Sequence, residues 1–244
     1  MPNPTAAILV IGNEVLSGRV ADVNVSTIAR RLADVGINLG EVRMVRDDEA
    51  AIVEAVQALR SAYTYVFTTG GIGPTHDDIT IASIAKAFGV AVVRNVEIEQ
   101  KLRDYYGSRL TAAALRMADY PAGARIVPHG QDFAPSCMME NVAVLAGQPR
   151  IMGIMLEATL PLLQTGTPLY TRQLDVWGLE SHLAAALESI QNRYPSIDIG
   201  SYPYRVEGRP GTALVCRGED ARIVEESFAA VQALVQTEGL EVRG

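Results

Sequence analysis

Cysteine, histidine and long apolar runs are scarce in this sequence. Two cysteines, Cys137 and Cys216, and three histidines among 244 residues form neither a disulfide framework nor a zinc-ligand pattern, so we expect buried thiols and no zinc or redox cofactor. No apolar run approaches the roughly 20 residues that a membrane span needs. The first residues lack the basic segment and cleavage pattern of a signal peptide. We therefore expect a cytoplasmic protein with no membrane partner.

Basic residues are also fewer than acidic residues. The 21 lysines and arginines against 28 aspartates and glutamates give a formal net charge of −7 and a pI near 5.1, and no basic tract stands out. This balance argues against nucleic acid as a partner. The hydrophobic content of 48% is enough for one large domain or for a domain with a small appendage.

Short apolar runs alternate with helical patterns over the first two thirds of the chain. The order β-α-β-α-β predicts an α/β domain with a mostly parallel sheet between layers of helices. The first of these helices is predicted to begin at an Asn24 cap, residues 96–119 to be mostly helical, and residues 150–155 to form a strand. The other predicted elements are strands over 6–11, 37–45 and 63–68 and helices over 49–61 and 79–88.

The last quarter of the chain has a different order, β-α-β-β-α. That order is the signature of a small ferredoxin-like α+β unit. Turn residues around 164–168 place a boundary near Thr167. We therefore predict a domain over residues 1–167 and a small α+β subdomain over residues 168–244.

The stretch TTGGIGPTHDDIT, residues 68–80, follows a predicted strand and precedes a predicted helix. Gly70, Gly71 and Gly73 permit a sharp turn and let backbone amides approach anionic oxygens, and the helix adds its positive N-terminal end. Asp77 and Asp78 would repel a phosphate unless a hard cation such as Mg²⁺ lies between them. The stretch predicts a phosphate site with a divalent metal held by these aspartates. The alternative is that one carboxylate caps the helix and the other is solvated.

Two common phosphate-loop motifs are absent. The sequence contains no GxxxxGK[ST], which excludes a P-loop nucleotide hydrolase, and Gly71 and Gly73 lack the third glycine of a dinucleotide fingerprint. A second polar loop follows the first strand, and loops after neighbouring strands of an open α/β sheet meet at the switch point. Glu14 and Asp22 in that loop are therefore either ligand-binding residues or ordinary turn and cap residues.

The loops IGNEVLSGRVADVN, residues 11–24, and TTGGIGPTHDDIT resemble the signature loops of the molybdopterin-binding (MoaB/Mog-like) domain family. The resemblance is greatest to the N-terminal domain of competence/damage-inducible protein A (CinA), and the segments RMADYPAGARIV and IGSYP extend it over nearly the whole chain. It implies a nucleotide-handling protein with ADP-ribose pyrophosphatase activity that depends on a divalent metal and on K⁺. The broader domain family implies pterin binding, adenylylation and a homo-oligomer, either a dimer or a trimer. The C-terminal amidase domain of CinA proteins is absent from this sequence, so we expect no deamidation of nicotinamide mononucleotide.

The resemblance also implies roles for particular residues. Asp78, Asp77 and Glu14 are the expected catalytic residues, and Asp77 and Asp78 are the expected metal ligands. The expected phosphate- and nucleotide-binding residues are Gly12, Gly18, Asp22, Asn24, Gly70, Gly71, Gly73, Thr75, Gly147 and Pro149.

Three departures from the family pattern concern four residues. Asn13 stands where an aspartate is usual, Ser136 and Cys137 replace a Gly-Phe pair, and Ala146 replaces a proline. The last two changes concern the wall of the expected site more than its phosphate loop.

The leading hypothesis is a metal-dependent hydrolase of a nucleoside diphosphate compound, with ADP-ribose as the best guess. The alternatives are a module that binds a nucleotide or molybdopterin without turnover, and an enzyme that transfers an adenylyl group to molybdopterin.

Overall fold

The computed structural model describes residues 2–130 and 135–243. The chain divides into two compact units, residues 1–166 and 167–244. Among the described residues, no helix combines the length and the apolar character that crossing a bilayer requires.

The first unit is built on a six-stranded sheet with the strand order β2-β1-β3-β8-β7-β6. The strands β2, β1, β3 and β8 are parallel neighbours, and β7 runs opposite to the two strands beside it. A separate two-stranded sheet pairs β4 with β5. The strands of this unit are β1 (Thr5–Ile11), β2 (Asn38–Val45), β3 (Tyr65–Thr69), β4 (Val92–Arg94), β5 (Asp119–Pro121), β6 (Arg125–Val127), β7 (Ser136–Met139) and β8 (Val142–Leu145).

Helices cover both faces of the six-stranded sheet. Alternate residues of β1 contribute to two separate hydrophobic cores, Leu9 to one and Ile8 to the other, which explains the continuous apolar run of this strand. The three-layer, mostly parallel α/β fold is thereby confirmed. The helices of this unit are α1 (Asn13–Leu16), α2 (Asn24–Asp34), α3 (Glu49–Ala62), α4 (Thr80–Ala87), α5 (Val96–Tyr106), α6 (Ala112–Leu115) and α7 (Pro149–Thr159).

The predicted strand over residues 150–155 is wrong, because these residues lie inside α7. Met152, Met155 and Leu156 are buried at helical spacing, and Pro149 occupies the first turn, where its fixed φ is compatible with a helix. A short apolar run cannot distinguish a buried strand from a buried helix by its periodicity. The helical stretch predicted over 96–119, with an interruption near Gly107, is interrupted there, since α5 ends at Tyr106 and Gly107 has φ +52°.

The second unit is a four-stranded antiparallel sheet with the order β10-β11-β9-β12 and two helices. Its chain order, β-α-β-β-α-β, is the ferredoxin-like order expected from the sequence, with a short last strand that was not predicted. One core, which includes Val176, Leu214 and Val231, joins sheet and helices. The elements are β9 (Tyr170–Trp177), α8 (Ala184–Arg193), β10 (Asp198–Val206), β11 (Arg209–Gly218), α9 (Ala221–Thr237) and β12 (Glu241–Val242).

Candidate functional site

Three strand ends meet at the carboxyl edge of the six-stranded sheet. Gly70, directly after β3, has φ +101°, and a Cβ added there would lie 2.1 Å from the Ile11 carbonyl oxygen at the end of β1. A Cβ added to Gly147, after β8, would lie 3.2 Å from Gly70 Cα. The backbones after β1, β3 and β8 are therefore in close contact, and only glycine permits that approach at position 70. This is the switch-point edge where ligands of open α/β sheets bind.

The turn after β3 is fastened to the start of α4 by Thr80. Its hydroxyl donates to the Gly70 carbonyl oxygen at 2.9 Å, and its amide donates to the Gly71 carbonyl oxygen at 3.0 Å. Gly71 has φ +64°, and a Cβ there would meet the Thr80 hydroxyl at 2.3 Å. Sequence reasoning did not identify Thr80, although a hydroxyl residue at a helix start is a recognisable signal.

The acidic half of the loop forms a tight turn from Thr75 to Asp78. Asp78 Oδ2 accepts hydrogen bonds from the amide of Thr75, at 2.7 Å, and from its hydroxyl. A Cβ on Gly73 would lie 2.7 Å from the same oxygen. One oxygen of Asp78 thus shapes the loop by binding Thr75, and it does not cap α4, whose N-cap residue is Ile79.

Asp77 is exposed at the tip of this turn. Hydrogen bonds, first from Thr75 and then from its own backbone, lower the pKa of the Asp77 carboxyl, and the nearby His76 acts in the same direction. Asp77 is therefore an anionic, solvent-facing oxygen donor at neutral pH.

The loop after β1 begins with α1, a single helical turn. The Asn13 amide donates to Asp47 Oδ2 at 2.9 Å, so a residue two positions after β2 holds the start of this turn. The Glu14 carboxylate folds back over Gly12, 2.5 Å from where a Cβ would lie. Gly18 ends the turn with φ +70°, and a Cβ there would meet nothing within 4 Å. Gly12 and Glu14 thus lie at the strand end, whereas Gly18 ends the helical turn in a conformation that favours glycine.

The assignment of Asn24 as a helix cap is wrong. Asn24 is the first residue of α2, and the capping oxygen is Asp22 Oδ1, which accepts from the Val25 amide at 2.8 Å. Asn24 instead points inward, is 5% exposed, and donates from Nδ2 to the Gly147 carbonyl oxygen at 2.8 Å. Its Oδ1 is buried without a hydrogen-bond partner among the described residues, which is rare for a buried polar atom. Asn24 therefore ties α2 to the loop after β8 and keeps an acceptor available at the strand ends.

Arg116 is a further residue at the site that the sequence analysis did not single out. Its guanidinium Nη2 donates to the Asp78 carbonyl oxygen at 3.0 Å. Arg116 also lines a small cavity of about 20 Å³ together with Ile72, Tyr120 and Cys137. The RMADYP segment thus brings one positive charge to the acidic turn.

The positions that depart from the family pattern have structural explanations. Ser136 is buried in β7, so it contributes to the sheet and not to an open wall. Ala146 is buried after β8, and its amide donates to Met155 Sδ at 3.3 Å, a contact that a proline could not make. Pro149 starts α7 one turn before Met152 and positions the helix after the glycine loop.

The described residues contain no group of three or more His, Cys, Asp or Glu side chains that could hold a metal ion. Asp77 and Asp78 offer hard oxygen donors in adjacent positions of the loop after β3. Mg²⁺ is commonly bound by one or two carboxylates, with substrate phosphates and waters as its other ligands. Asp77 and Asp78 therefore fit a divalent cation that binds together with a phosphate ligand.

The arrangement defines an α/β protein with a glycine-lined site at the carboxyl ends of parallel strands. Residues 7–165 match the family model described as "Probable molybdopterin binding domain". The chain belongs to this family, and its two signature loops are those that meet at the sheet edge. Residues 168–242 match a second model, described as "FAD synthase, middle domain".

Curated relatives and a solved structure agree with the family. A protein of Archaeoglobus fulgidus is 30% identical over 229 residues, which cover 93% of this chain and 96% of that protein. A CinA-like protein of Geobacter metallireducens is 34% identical over 242 residues, and the match spans 90% of this chain and 59% of that protein. The crystal structure of the protein CinA, described as of unknown function, from Thermoplasma acidophilum is 28% identical with a TM-score of 0.61, covering 66% of this chain and 98% of that one. The resemblance to the MoaB/Mog-like and CinA families is confirmed.

Proposed function

We propose that the chain binds the phosphates of a nucleotide or pterin at the carboxyl edge of its parallel sheet and hydrolyses a nucleoside diphosphate, with ADP-ribose as the best guess. The observation that carries this proposal is the contact between the backbones after three strands, at Ile11, Gly70 and Gly147. Without side chains at positions 70 and 147, a phosphate can approach backbone amides directly.

Each part of the site has a role in this proposal. The amides of residues 71–73 and the first turn of α4 bind phosphate oxygens, because the Gly70 amide already donates to the Leu145 carbonyl oxygen at 3.3 Å. Asn24 Oδ1, buried and without a partner among the described residues, accepts a hydrogen bond from the ligand. Arg116, held on the Asp78 carbonyl oxygen, adds a positive charge beside the acidic turn.

Hydrolysis requires help for the water that attacks the phosphorus atom. Glu14, folded over Gly12 at the strand end, accepts a proton from that water as the new P–O bond forms and the anhydride P–O bond breaks. ADP-ribose would yield AMP and ribose 5-phosphate. Asp77 and Asp78 would hold a divalent cation, with K⁺ as a further ion, and such a cation would supply neutralisation of the phosphate charge and would lower the pKa of bound water.

Two measurements test this proposal. AMP release from ADP-ribose is followed with Mg²⁺ or Co²⁺ and K⁺, and ADP-ribose binding is followed by calorimetry with and without Mg²⁺. Asp78→Asn and Asp77→Asn should abolish the gain in affinity that Mg²⁺ provides and should remove AMP release. Asp104→Asn, on the exposed surface of α5, is the matched control. Full activity in the Asp78→Asn variant would exclude the metal role of this residue.

A second function, binding without turnover, is favoured by one specific observation. Asp78 already uses one carboxylate oxygen to hold Thr75, and the described residues hold no cluster of three metal-binding side chains. Calorimetry with AMP, ADP-ribose and molybdopterin separates the two functions, because tight binding with no product identifies a binding module. Adenylyl transfer to molybdopterin requires a product that forms only with ATP. No binding of any phosphate ligand would exclude all three functions.

A further inference from the structure

The helices α8 and α9 of the second unit lie on one face of its sheet. Both contribute to the core on the side of Leu214 and Cys216. Because successive side chains of a strand point to opposite faces, Tyr202, Tyr204 and Trp177 lie on the other face, which we call the helix-free face. Tyr202 is 56% exposed, so this face is open to solvent at that residue.

Two glycines on the helix-free face make room for tyrosine rings. A Cβ on Gly200 would lie 2.8 Å from Tyr202 Cε2, and a Cβ on Gly211 would lie 2.4 Å from Tyr204 Cζ. Each ring therefore occupies the space that a side chain would otherwise fill, Tyr202 along its own strand and Tyr204 across to β11. Since only glycine permits so close an approach to the backbone, both rings lie against the sheet instead of standing away from it.

Tyr204 is held by contacts within the unit. Its hydroxyl donates to the Val176 carbonyl oxygen at 3.3 Å, and its ring meets the ring of Trp177 edge-on, with 5.9 Å between the centroids. The guanidinium of Arg209 lies over Trp177, 4.4 Å from the ring centroid. These contacts give Tyr204 and Trp177 a structural role.

The IGSYP segment holds Tyr202 in place without covering it. Ile199 packs against the core, and its amide donates to Gln191 Oε1 at 2.9 Å. The Ser201 hydroxyl donates to Glu180 Oε1. Tyr202 itself is more than half exposed, and no described residue forms a hydrogen bond with its hydroxyl. An exposed ring that is already fixed loses little conformational entropy when a second ring stacks on it.

Arg217 brings a positive charge near this ring. Gly200 pairs with Val215, so Arg217, two residues further along β11, is the diagonal neighbour of Gly200 on the helix-free face. Diagonal neighbours are about 7–8 Å apart, a distance that long side chains span. Asp198 stands opposite Arg217 in the sheet, yet no described carboxylate forms an ion pair with this arginine. A phosphate attached to a ring on Tyr202 would therefore have an unpaired guanidinium within reach.

The charge of the helix-free face favours a small ligand. Arginines and carboxylates are equally frequent there, so the face offers no positive track for a nucleic acid backbone. The charged residues of this face are Arg209, Arg217, Arg243, Asp175, Asp198 and Glu241. Of these, Arg209 is already paired with Glu241 at 2.5 Å. One exposed ring beside one unpaired arginine matches a single base with its phosphate group.

We propose that the helix-free face of the second unit is a nucleotide-binding site, where the base stacks on Tyr202 and the phosphate pairs with Arg217. Because every base presents a π-face, such stacking discriminates little between bases. The site uses no residue of the glycine loop, so it does not depend on the hydrolysis proposed for the first unit.

Amide NMR of the isotope-labelled full chain tests this site, because the shifts report where a ligand binds as well as how tightly. AMP, GMP and UMP should each shift the amides of β10 and β11 around Tyr202 and Arg217. Ribose 5-phosphate, which lacks a base, should not. Tyr202→Leu keeps an apolar side chain over Gly200 without a π-face, so it should raise the Kd for AMP roughly 5- to 150-fold. Tyr202→Phe should bind AMP as the wild-type chain does, and Arg217→Gln should weaken the binding of AMP but not of adenosine.

Tyr170→Leu is the matched control, since Tyr170 is a 47% exposed tyrosine of the same sheet on the opposite face, and this variant should bind AMP normally. The spectrum of each variant also shows whether it is folded. The proposal is overturned if none of the three nucleotides shifts the amides of β10 and β11, or if Tyr202→Leu binds AMP as tightly as the wild-type chain. It is equally overturned if Arg217→Gln leaves AMP binding unchanged or weakens adenosine binding to the same extent. Shifts confined to the glycine loop would support the proposed function alone and refute the second site. A single-stranded oligonucleotide that bound far more tightly than AMP would refute the assignment of a free nucleotide.

Discussion

Replacing Gly70 by alanine tests the contact between the strand ends, on which the proposed site depends. The residue has φ +101°, and a non-glycine residue in the left-handed region costs about 1–2 kcal/mol. The added Cβ would also lie 2.1 Å from the Ile11 carbonyl oxygen. That carbonyl belongs to β1, which pairs with strands on both sides, so relieving the overlap requires a backbone shift worth about 1–3 kcal/mol. The sum is a loss of about 2–5 kcal/mol, or a fall in the unfolding temperature of roughly 4–20 °C.

Thermal and denaturant unfolding followed by far-ultraviolet circular dichroism measures this loss. Gly18→Ala is the matched control, because Gly18 also has a positive φ, +70°, but a Cβ there meets nothing within 4 Å. The Gly18→Ala variant should therefore lose only the free energy of placing a non-glycine residue at positive φ, about 1–2 kcal/mol. Calorimetry should also show weaker phosphate-ligand binding for Gly70→Ala than for Gly18→Ala. If Gly70→Ala lost no more stability than Gly18→Ala, the close approach of the loops after β1 and β3 would be refuted.

Three further predictions concern side chains within the same unit. Asn24→Leu removes the donor that the Gly147 carbonyl oxygen has at 2.8 Å, so we expect a loss of about 0.5–1.5 kcal/mol in denaturant unfolding together with weaker ligand binding in calorimetry. Thr75→Val removes the first cause of the lowered pKa of Asp77, so the carboxyl resonance of that residue should titrate at a higher pH by NMR. In the wild-type chain, the stability that comes from the lowered pKa is fully present above the ordinary aspartate pKa and is lost as the pH falls through the lowered value. Burial raises the pKa of the Cys137 thiol to about 12, so this thiol should not react with a thiol reagent at pH 8 until the chain unfolds; prompt reaction would show that it is accessible.

Short sequence patterns were sufficient to predict most helices and strands of the fold. The continuous apolar run of β1 and the cap at Asp48, whose Oδ1 accepts from the Ala51 amide at 2.9 Å, are properties of a few neighbouring residues. The strand predicted over 150–155 failed because that apolar run has no distinguishing period. Only packing against the sheet, with Met152 and Met155 on one buried face, selects the helix.

The residues of the candidate site likewise include some that the sequence identified and some that only the structure revealed. The glycine loop at residues 70–73 was identified because a positive φ and a close approach of two backbones both favour glycine, which can be seen directly in the sequence. The role of Asn24 was not identified, since its partner Gly147 lies 123 positions away and an asparagine before a helical pattern is equally typical of a cap. Arg116 was missed for a related reason, because its bond to the Asp78 carbonyl oxygen joins segments that are 38 positions apart.

By itself, the sequence determined the α/β class, the ferredoxin-like order of the last quarter and the location of the glycine-rich loop after β3. These follow from residue periodicity and from the conformational freedom of glycine, which act over short distances along the chain. The tertiary structure alone decided which strand ends meet, that Asp22 caps α2 while Asn24 faces inward, and that β2 lies at the edge of the six-stranded sheet. These features depend on strand order, which brings distant segments together and which no local pattern encodes.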